Sequence, residues 1–188
     1  MSTTEKIRIT GKGGVAYVLG TPMCLYDGDV HIGTLDPVPV NKLGTEVHVE
    51  HFTPAAIPGD RKVALSKLVL VEMVLYLAEN FNSVQAISVA LGREIEGYGD
   101  AVRLADARSI FLENIGASHI KMTPKPNGEH MGHFVVSGVW IYNPSNFAAL
   151  TEVVQAERDT YFGAQRANGG IPKPSRLNAL VKRLTARN

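Results

Sequence analysis

The segment 105–117 and the two stretches that follow it constrain the fold more tightly than any other part of the chain. Its apolar residues recur at helical spacing, and Gly116 can adopt the left-handed conformation that ends a helix. Residues 118–123 and 133–142 then predict two strands around the turn-forming segment 124–128. The pattern therefore predicts an amphipathic helix that is closed by a glycine and followed by a β-hairpin.

The stretch before that helix predicts a parallel pair of strands. Residues 45–52 are typical of a strand, and residues 61–80 predict a mostly apolar helix that is buried against a sheet. A nearly continuous apolar run at 83–91 is typical of a central strand. A strand, a helix and a second strand in this order imply parallel pairing over a right-handed crossover. After a glycine-bounded connection at 92–99, Asp100 is the expected N-cap of the next helix.

The N-terminal third predicts antiparallel strands joined by tight turns. Two hairpins are expected: 7–9 with 15–19 around the glycine-rich turn 11–14, and 23–26 with 30–32 around the Asp-Gly turn 27–29. The chain is therefore predicted to have an α+β (mixed α/β) fold, a twisted mixed sheet flanked by helices. We expect one domain over residues 1–144 and a C-terminal helix with a basic tail over 145–188, with Ser145 as the helix cap.

Composition narrows the classes of protein to which the chain can belong. The single cysteine, Cys24, excludes an internal disulfide, and the N-terminus shows no signal-peptide pattern. The most apolar segment, 63–78, contains Lys67 and Glu72 and is too short to span a bilayer. We therefore expect a cytoplasmic protein without a membrane span.

Charge is distributed unevenly, although the net charge is only +1. No acidic residue follows Asp159, while basic and apolar residues alternate at helical spacing in the tail. This pattern favours docking of the tail onto its own domain, a protein partner or a second copy, and binding of nucleic acid is the less favoured alternative. The residues concerned are Arg166, Lys173, Arg176, Leu177, Leu180, Val181, Lys182, Arg183, Leu184 and Arg187.

The helix end at 110–117, Ile-Phe-Leu-Glu-Asn-Ile-Gly-Ala, resembles the corresponding helix end of GNAT-type acyl-CoA-dependent N-acyltransferases. The order of the predicted elements over residues 7–142 is also similar to that fold. The resemblance implies acetyl-CoA or another acyl-CoA as cofactor, held between the strands 45–52 and 83–91. It also implies a small-molecule or protein amine as acceptor.

The resemblance places the cofactor's pyrophosphate at the start of the long helix. Backbone N–H groups at a helix start can bind phosphate, and the cofactor-binding candidates there are Gly59, Arg61, Lys62 and Val63. The segment has one glycine where the family usually has two or three. In the second helix, Leu112 stands where the family often has a tyrosine that protonates the leaving thiolate.

Three residues are candidates for catalysis. Glu50 and His48 lie two residues apart, so they share one face of the predicted strand, and a carboxylate on this strand could deprotonate the amine. The alternative is a solvent-facing polar pair on an edge strand. Tyr98, between two glycines, could replace the missing tyrosine acid, or could simply pack over its loop. No metal site is expected, because the histidines lack ligand partners at recognised spacings.

A second family resemblance gives a different function. The phrase at 108–117 is also similar to a helix in small GNAT-like virion proteins of T7-type phages. That resemblance implies a non-catalytic structural or assembly protein, located in a virion, that docks through its basic C-terminal arm. The two readings differ in the cleft between the strands: an acyltransferase requires an open cleft, and a scaffold is expected to have it plugged by side chains.

Overall fold

The computed structural model describes residues 6–50, 52–55, 65–127 and 131–169. Within these ranges the chain forms eight strands and three α-helices. In chain order they are β1 (Arg8–Thr10), β2 (Met23–Asp27), β3 (Val30–Leu35), β4 (Glu46–Val49), β5 (Phe52–Pro54), α1 (Leu65–Asn80), β6 (Ala86–Glu96), α2 (Tyr98–Asn114), β7 (Ser118–Asn127), β8 (Met131–Ile141) and α3 (Pro144–Gly169).

The first sheet is antiparallel and has the strand order β1-β2-β3-β5. The predicted hairpin between β2 and β3 is confirmed, with Asp27 paired to Val30 and Gly28 at a positive φ in the turn. The hairpin predicted around residues 11–14 is wrong. β1 pairs with β2 instead, so residues 15–19 have no strand partner; Val15 and Val18 in this segment are exposed.

The second sheet is mixed and has the strand order β4-β6-β8-β7. β4 and β6 are parallel, from Glu46 opposite Ala86 to Val49 opposite Val89, and β8 pairs antiparallel with both β6 and β7. Helix α1 lies between the two parallel strands in the chain, as the sequence predicted. The predicted mixed α+β fold class is therefore confirmed.

Alternation of burial along the strands of the second sheet defines two faces. The core face is fully buried and includes Val47 and Val49 of β4 and Ile87 and Val89 of β6. Helix α2 covers part of this face, and its carboxyl end is tied to it by a hydrogen bond from the Trp140 indole N–H to the Ile115 carbonyl at 2.9 Å. Side chains on the opposite face, among them His48 and Ser88, are only half-buried.

Helix α2 ends as the sequence predicted but begins differently. Gly116 has a φ of 83°, and the amides of Gly116 and Ala117 donate to the carbonyls of Glu113 and Leu112, as in a glycine-terminated helix. The predicted N-cap Asp100 instead lies inside the first turn, because the helix starts at Tyr98. There its carboxylate pairs with Arg103 and interacts favourably with the positive end of the helix dipole.

Several strand ends also differ from the prediction. β6 and the hairpin strands β7 and β8 extend through segments that the sequence predicted as connections. Pairing along nearly the whole length of β8 supplies hydrogen bonds to residues 92–96, which the sequence predicted to belong to a glycine-bounded connection. The stretch 45–52 does not form one strand, because the chain leaves the second sheet after Val49 and joins the first as β5.

Helix α3 is capped by Asn143 rather than by the predicted Ser145. The Asn143 side-chain oxygen accepts a hydrogen bond from the Asn146 amide at 2.8 Å, and Pro144 occupies the first helical position. The helix packs against α1. Residues 170–188, which include the predicted tail helix, lie outside the described residues. No helix in the described part of the chain is long and apolar enough to cross a membrane.

Candidate functional site

The two parallel strands of the second sheet separate after a short paired stretch. β4 and β6 are paired up to Val49 and Val89, and beyond that point β6 continues alongside β8 alone. The chain of β4 turns away and pairs with β3 as β5, through Thr53 opposite Thr34. The separation leaves an opening between the two sheets, which is the feature that the acyltransferase hypothesis requires.

A cavity of about 1040 Å³ lies at this separation. Its walls come from β3, β4, β5, β6, α1 and α2, and they are mostly apolar. Three charged side chains also line it: Asp36, Glu50 and Arg108. The apolar lining residues are Leu35, Val49, Phe52, Pro54, Ala55, Leu65, Val69, Leu70, Met73 and Leu91.

Glu50 and His48 lie on the same face of the β4 segment, as the sequence predicted, and they contact each other. The His48 Nε2 atom is 3.5 Å from the Glu50 Oε2 atom, and both side chains are about half exposed. Glu50 lines the cavity, whereas His48 is not among the described lining residues. The Glu50 carboxylate, which the sequence indicated as a candidate base, therefore lies at the cavity wall, and the His48 imidazole contacts it from outside the set of lining residues.

β4 is not a bare sheet edge. The His48 amide donates to the Pro39 carbonyl at 2.9 Å, and the Asn41 amide donates to the Glu46 carbonyl at 3.0 Å. Val40 forms a bridge to Val47 in the same stretch. The segment 39–41 therefore runs along the outer side of β4 and fixes the strand that carries both candidate residues.

A third side chain, which the sequence did not indicate, joins this pair. The Ser88 Oγ atom lies 3.0 Å from the His48 Nδ1 atom, across the paired strands β4 and β6. The same Oγ atom is 3.5 Å from the Val47 carbonyl oxygen, so its shorter contact is the one with His48. Ser88 lies within a nearly continuous apolar run, so only the register of β6 on β4 reveals its partner.

Arg108 is the second residue that the sequence did not assign to the site. It lies on α2, one turn before Leu112, and its Nη1 atom donates to the Leu91 carbonyl at 3.2 Å. Leu91 lies on β6 beyond the point where β4 departs, so the guanidinium reaches the part of β6 that borders the cavity. Arg108 belongs to the phrase 108–117 that carries the similarity to phage virion proteins, but no sequence signal placed it in the cavity.

Tyr98 and the predicted phosphate-binding residues are placed differently from Glu50. Tyr98 is the first residue of α2 and is 66% exposed, and its ring packs edge-on against Phe134 with centroids 5.6 Å apart. It is not among the described residues that line the cavity. Gly59, Arg61, Lys62 and Val63 lie outside the described residues. In the ranges that the structure describes, no group of three or more potential ligand side chains could hold a metal ion.

Comparison with known proteins gives matches in structure only. No model of a protein family matches the chain, and no curated protein matches its sequence. One similar structure is a mutant form of the spermidine/spermine N-acetyltransferase SpeG from Vibrio cholerae, with a TM-score of 0.45 and 13% identity over 68% of this chain and 69% of that chain. Another is the spermidine N-acetyltransferase from Vibrio cholerae in complex with CoA and spermine, with a TM-score of 0.43 and 14% identity over 68% of each chain.

The fold assignment rests on the topology of this chain itself. A strand, a long helix, a partner strand that separates from the first, a second helix and a hairpin follow one another in the order that the resemblance implies. The chain has a GNAT-like fold. The similarity to phage virion proteins remains a prediction from the sequence.

Proposed function

We propose that the protein is an acyl-CoA-dependent N-acyltransferase of the GNAT type. The observation that carries the proposal is the open cavity at the separation of β4 and β6, with Glu50 at its wall. A cleft plugged by side chains was the expectation for a non-catalytic scaffold. The described residues instead leave a space large enough for the narrow arm of a coenzyme thioester.

The walls of the cavity suit that arm. Its pantetheine part is a thin chain of apolar and amide groups, and ligand sites of this kind combine apolar walls with a few polar groups that set orientation. Leu91 and Val49 line the cavity on the two separated strands, while α1 supplies its buried side through Leu70 and Met73. We place the pyrophosphate at the beginning of the long helix, where Gly59, Arg61, Lys62 and Val63 are the proposed contacts.

The chemistry assigned to the site is direct attack of an amine on the thioester. Glu50 accepts a proton from the attacking amine, the amine nitrogen forms a bond to the thioester carbonyl carbon, and the carbon–sulfur bond breaks. The released thiolate takes a proton to become CoA. Tyr98 remains a proposed donor for that proton, because Leu112, at the position where the family often has a tyrosine, is apolar and fully buried.

Charge at the cavity favours a cationic acceptor. Asp36 and Glu50 line it together with one cation, Arg108, so the carboxylates outnumber the guanidinium. A net negative lining attracts a molecule that carries an ammonium group in addition to the amine that reacts. One of the similar structures is a spermidine N-acetyltransferase in complex with spermine. We therefore propose a small amine with more than one positive charge as the acceptor and acetyl-CoA as the donor.

A transfer assay tests the proposal. Release of CoA thiol from acetyl-CoA is followed with spermidine and with a panel of other amines. We expect transfer by the wild-type chain and a loss of about 100-fold or more in kcat for Glu50→Gln, since general-base catalysis is typically worth that much. Glu46→Gln is the matched control, because Glu46 lies on the same strand and face but is not among the cavity-lining residues. Absence of transfer by the wild type, or equal rates for both variants, would contradict the proposal.

The second candidate is a non-catalytic, GNAT-like assembly protein, including a virion component, that binds a protein partner or a second copy through residues 145–188. The replacement of the usual tyrosine by the buried Leu112 favours it. So does the distribution of charge, since basic residues follow Asp159 without any acidic ones. It predicts a stable protein that binds no CoA, and a binding measurement on the same purified chain distinguishes the two candidates.

A further inference from the structure

We propose that Arg108 is a further catalytic residue of the cavity, whose guanidinium stabilises the negative charge that forms on the leaving sulfur. The inference rests on the proposed acyltransferase function and adds a group for the leaving side of the reaction, since Glu50 acts on the amine. Arg108 lines the cavity, and its Nη1 atom donates to the Leu91 carbonyl at 3.2 Å. Among the described side chains of the lining, it alone carries a positive charge.

The strand register places Arg108 near the level of Glu50, on the other side of the opening. Val49 opposite Val89 is the last pair of β4 and β6. Glu50 is one residue beyond this pair on the β4 side, and Leu91, which holds the guanidinium, is two residues beyond it on β6. Their levels along the strand direction therefore differ by about one residue, roughly 3.3 Å. A thioester between the separated strands would have the proposed base on one side and the cation on the other.

The surroundings of Arg108 strengthen the effect of its charge. The side chain is half-buried and the cavity walls are mostly apolar, so charges interact more strongly there than in water. The hydrogen bond to Leu91 orients the guanidinium, and a neutral carbonyl does not cancel its charge. The same contact joins α2 to β6, so the cation is in place before negative charge develops. A charge that is fixed in advance stabilises a transition state most effectively, because nothing has to reorganise during the reaction.

The step assigned to Arg108 is electrostatic. Once the amine nitrogen has bonded to the thioester carbonyl carbon, the carbon–sulfur bond breaks and its electron pair remains on sulfur. Arg108 stabilises the thiolate and keeps its own proton, because a guanidinium is not deprotonated in a protein. The thiolate can therefore leave first and take its proton afterwards, from Tyr98 or from water. Such an order suits this site, because Tyr98 is not among the described lining residues and Leu112, one turn after Arg108, is apolar and fully buried.

Two carboxylates share the cavity with Arg108 and act in the opposite direction. Asp36 and Glu50 line it, and a negative charge near a thiol disfavours its ionisation. Glu50 is neutral once it has taken the amine proton, so it does not oppose the thiolate at the moment when the carbon–sulfur bond breaks. Without Arg108, the lining would disfavour the thiolate through both its carboxylates and its apolar walls. Removal of the guanidinium should therefore reverse the preference of the site for an anionic sulfur.

Transfer kinetics give one test. With acetyl-CoA and spermidine, Arg108→Gln should lower kcat by about 100-fold, in the range for loss of one preorganised charge-stabilising group. KM for acetyl-CoA should change little, because the intact thioester is neutral and the interaction appears only as the bond breaks. Arg103→Gln is the matched control, since Arg103 lies on the same helix, pairs with Asp100 at the surface and is not among the described lining residues. Equal losses in both variants, or a loss confined to KM, would overturn the assignment.

Binding of free CoA tests the assignment without any measurement of activity. Calorimetry compares CoA with desulfo-CoA, in which hydrogen replaces the thiol group. A free thiol has a pKa of about 8.5, and a cation within a few ångströms should lower the pKa of the bound thiol by about one unit or more. The wild-type preference for CoA over desulfo-CoA should therefore rise with pH and approach tenfold between about pH 6 and pH 9. In Arg108→Gln the preference should stay flat or fall, while Arg103→Gln should behave as the wild type.

The outcomes of this titration separate the two proposals. A wild-type preference that does not rise with pH would overturn the role of Arg108, and so would a rise that persists in Arg108→Gln. In both cases CoA still binds, so the proposed function would not be affected. The wild-type comparison decides by itself even where Arg108→Gln does not fold, and Arg108→Lys, which keeps the charge, should keep the rise. If the folded wild-type chain binds neither ligand, the proposed function fails and the assignment of Arg108 fails with it.

Discussion

The ion pair between Glu72 on α1 and Arg158 on α3 gives the sharpest prediction about what holds the fold together. The guanidinium makes two parallel bonds to the carboxylate, Nε to Oε1 at 2.6 Å and Nη2 to Oε2 at 2.8 Å. The side chain of Glu72 is 4% exposed and that of Arg158 is 18% exposed. The Ile7 amide also donates to Glu72 at 3.4 Å, so the carboxylate connects α1, α3 and the residue that precedes β1.

Removal of the cation would leave a carboxylate buried without its charge partner. Arg158→Met is expected to lower the free energy of unfolding by about 3–5 kcal/mol, the range for breaking one side of a buried pair. The hydrogen bonds that Arg158 donates to Glu72 also raise the pKa of the Arg158 guanidinium, so the cation persists at any pH at which the protein is folded. Replacement of both residues by Met removes the buried charge altogether, and it should cost much less than the single change.

Chemical denaturation followed by fluorescence measures these changes. The chain has one tryptophan, Trp140, which is 1% exposed and reports on unfolding of the core. Arg103→Ala is the control: it breaks the exposed pair with Asp100 and should cost about 0–1 kcal/mol. If Arg158→Met costs no more than the control, or if the double variant is less stable than the single, the pair does not hold α3 as the structure indicates.

Three further perturbations test local features. Gly116→Ala places a side chain on a residue with a φ of 83° and a Cβ 2.6 Å from the Asn146 side-chain oxygen, so thermal unfolding should show that the free energy of unfolding falls by more than about 1 kcal/mol. Gly99→Ala lies inside α2 with open space around it, so its effect on stability should be neutral or stabilising. A larger loss in Gly99→Ala than in Gly116→Ala would contradict the assigned helix end. Asn143→Ala removes the cap of α3 and should cost about 1 kcal/mol in chemical denaturation; no loss would exclude that cap. Burial raises the pKa of Tyr17 to about 12, so the contribution of the neutral Tyr17 to stability is fully present below pH 10 and is lost as the pH rises toward 12. Ultraviolet titration of the phenolate should show a tyrosine with a high pKa, and this signal should disappear in Tyr17→Phe. Titration of every tyrosine at the ordinary pKa would refute the prediction.

Local signals in the sequence predicted the elements that are specified locally. A glycine after an amphipathic stretch ended α2 at the expected place, and the Asp-Gly pair produced the turn between β2 and β3, because both require backbone conformations that few residues adopt. The order of a strand, an apolar helix and a second strand predicted the parallel pair β4 and β6, because a helical crossover returns the chain to the same end of the sheet.

The errors concern choices that distant residues decide. The stretch 45–52 has the pattern of one strand, but its end pairs with β3 in the other sheet. Likewise, residues 15–19 were predicted to pair with β1, but β1 pairs with β2, which contains the buried residues Met23 and Leu25. Neither competition can be read from residues that are neighbours in the chain.

The same distinction applies to the site. Glu50 and His48 were selected because a strand places alternate residues on one face, and the structure shows them in contact. Ser88 and Arg108 come from other elements, and their positions depend on the register of β6 and the packing of α2. The residues proposed to bind the pyrophosphate rest on the sequence alone.

Calorimetric titration of the purified protein with acetyl-CoA tests the central claim, that the cavity between β4 and β6 is a coenzyme site. The account predicts binding in the low-micromolar range that weakens when Arg61 and Lys62 are both changed to Ala. It also predicts that Glu50→Gln, which keeps the size of the side chain at the cavity wall, leaves the affinity largely unchanged. No detectable binding by the folded wild-type chain would contradict the account and favour an assembly protein that uses this fold as a scaffold.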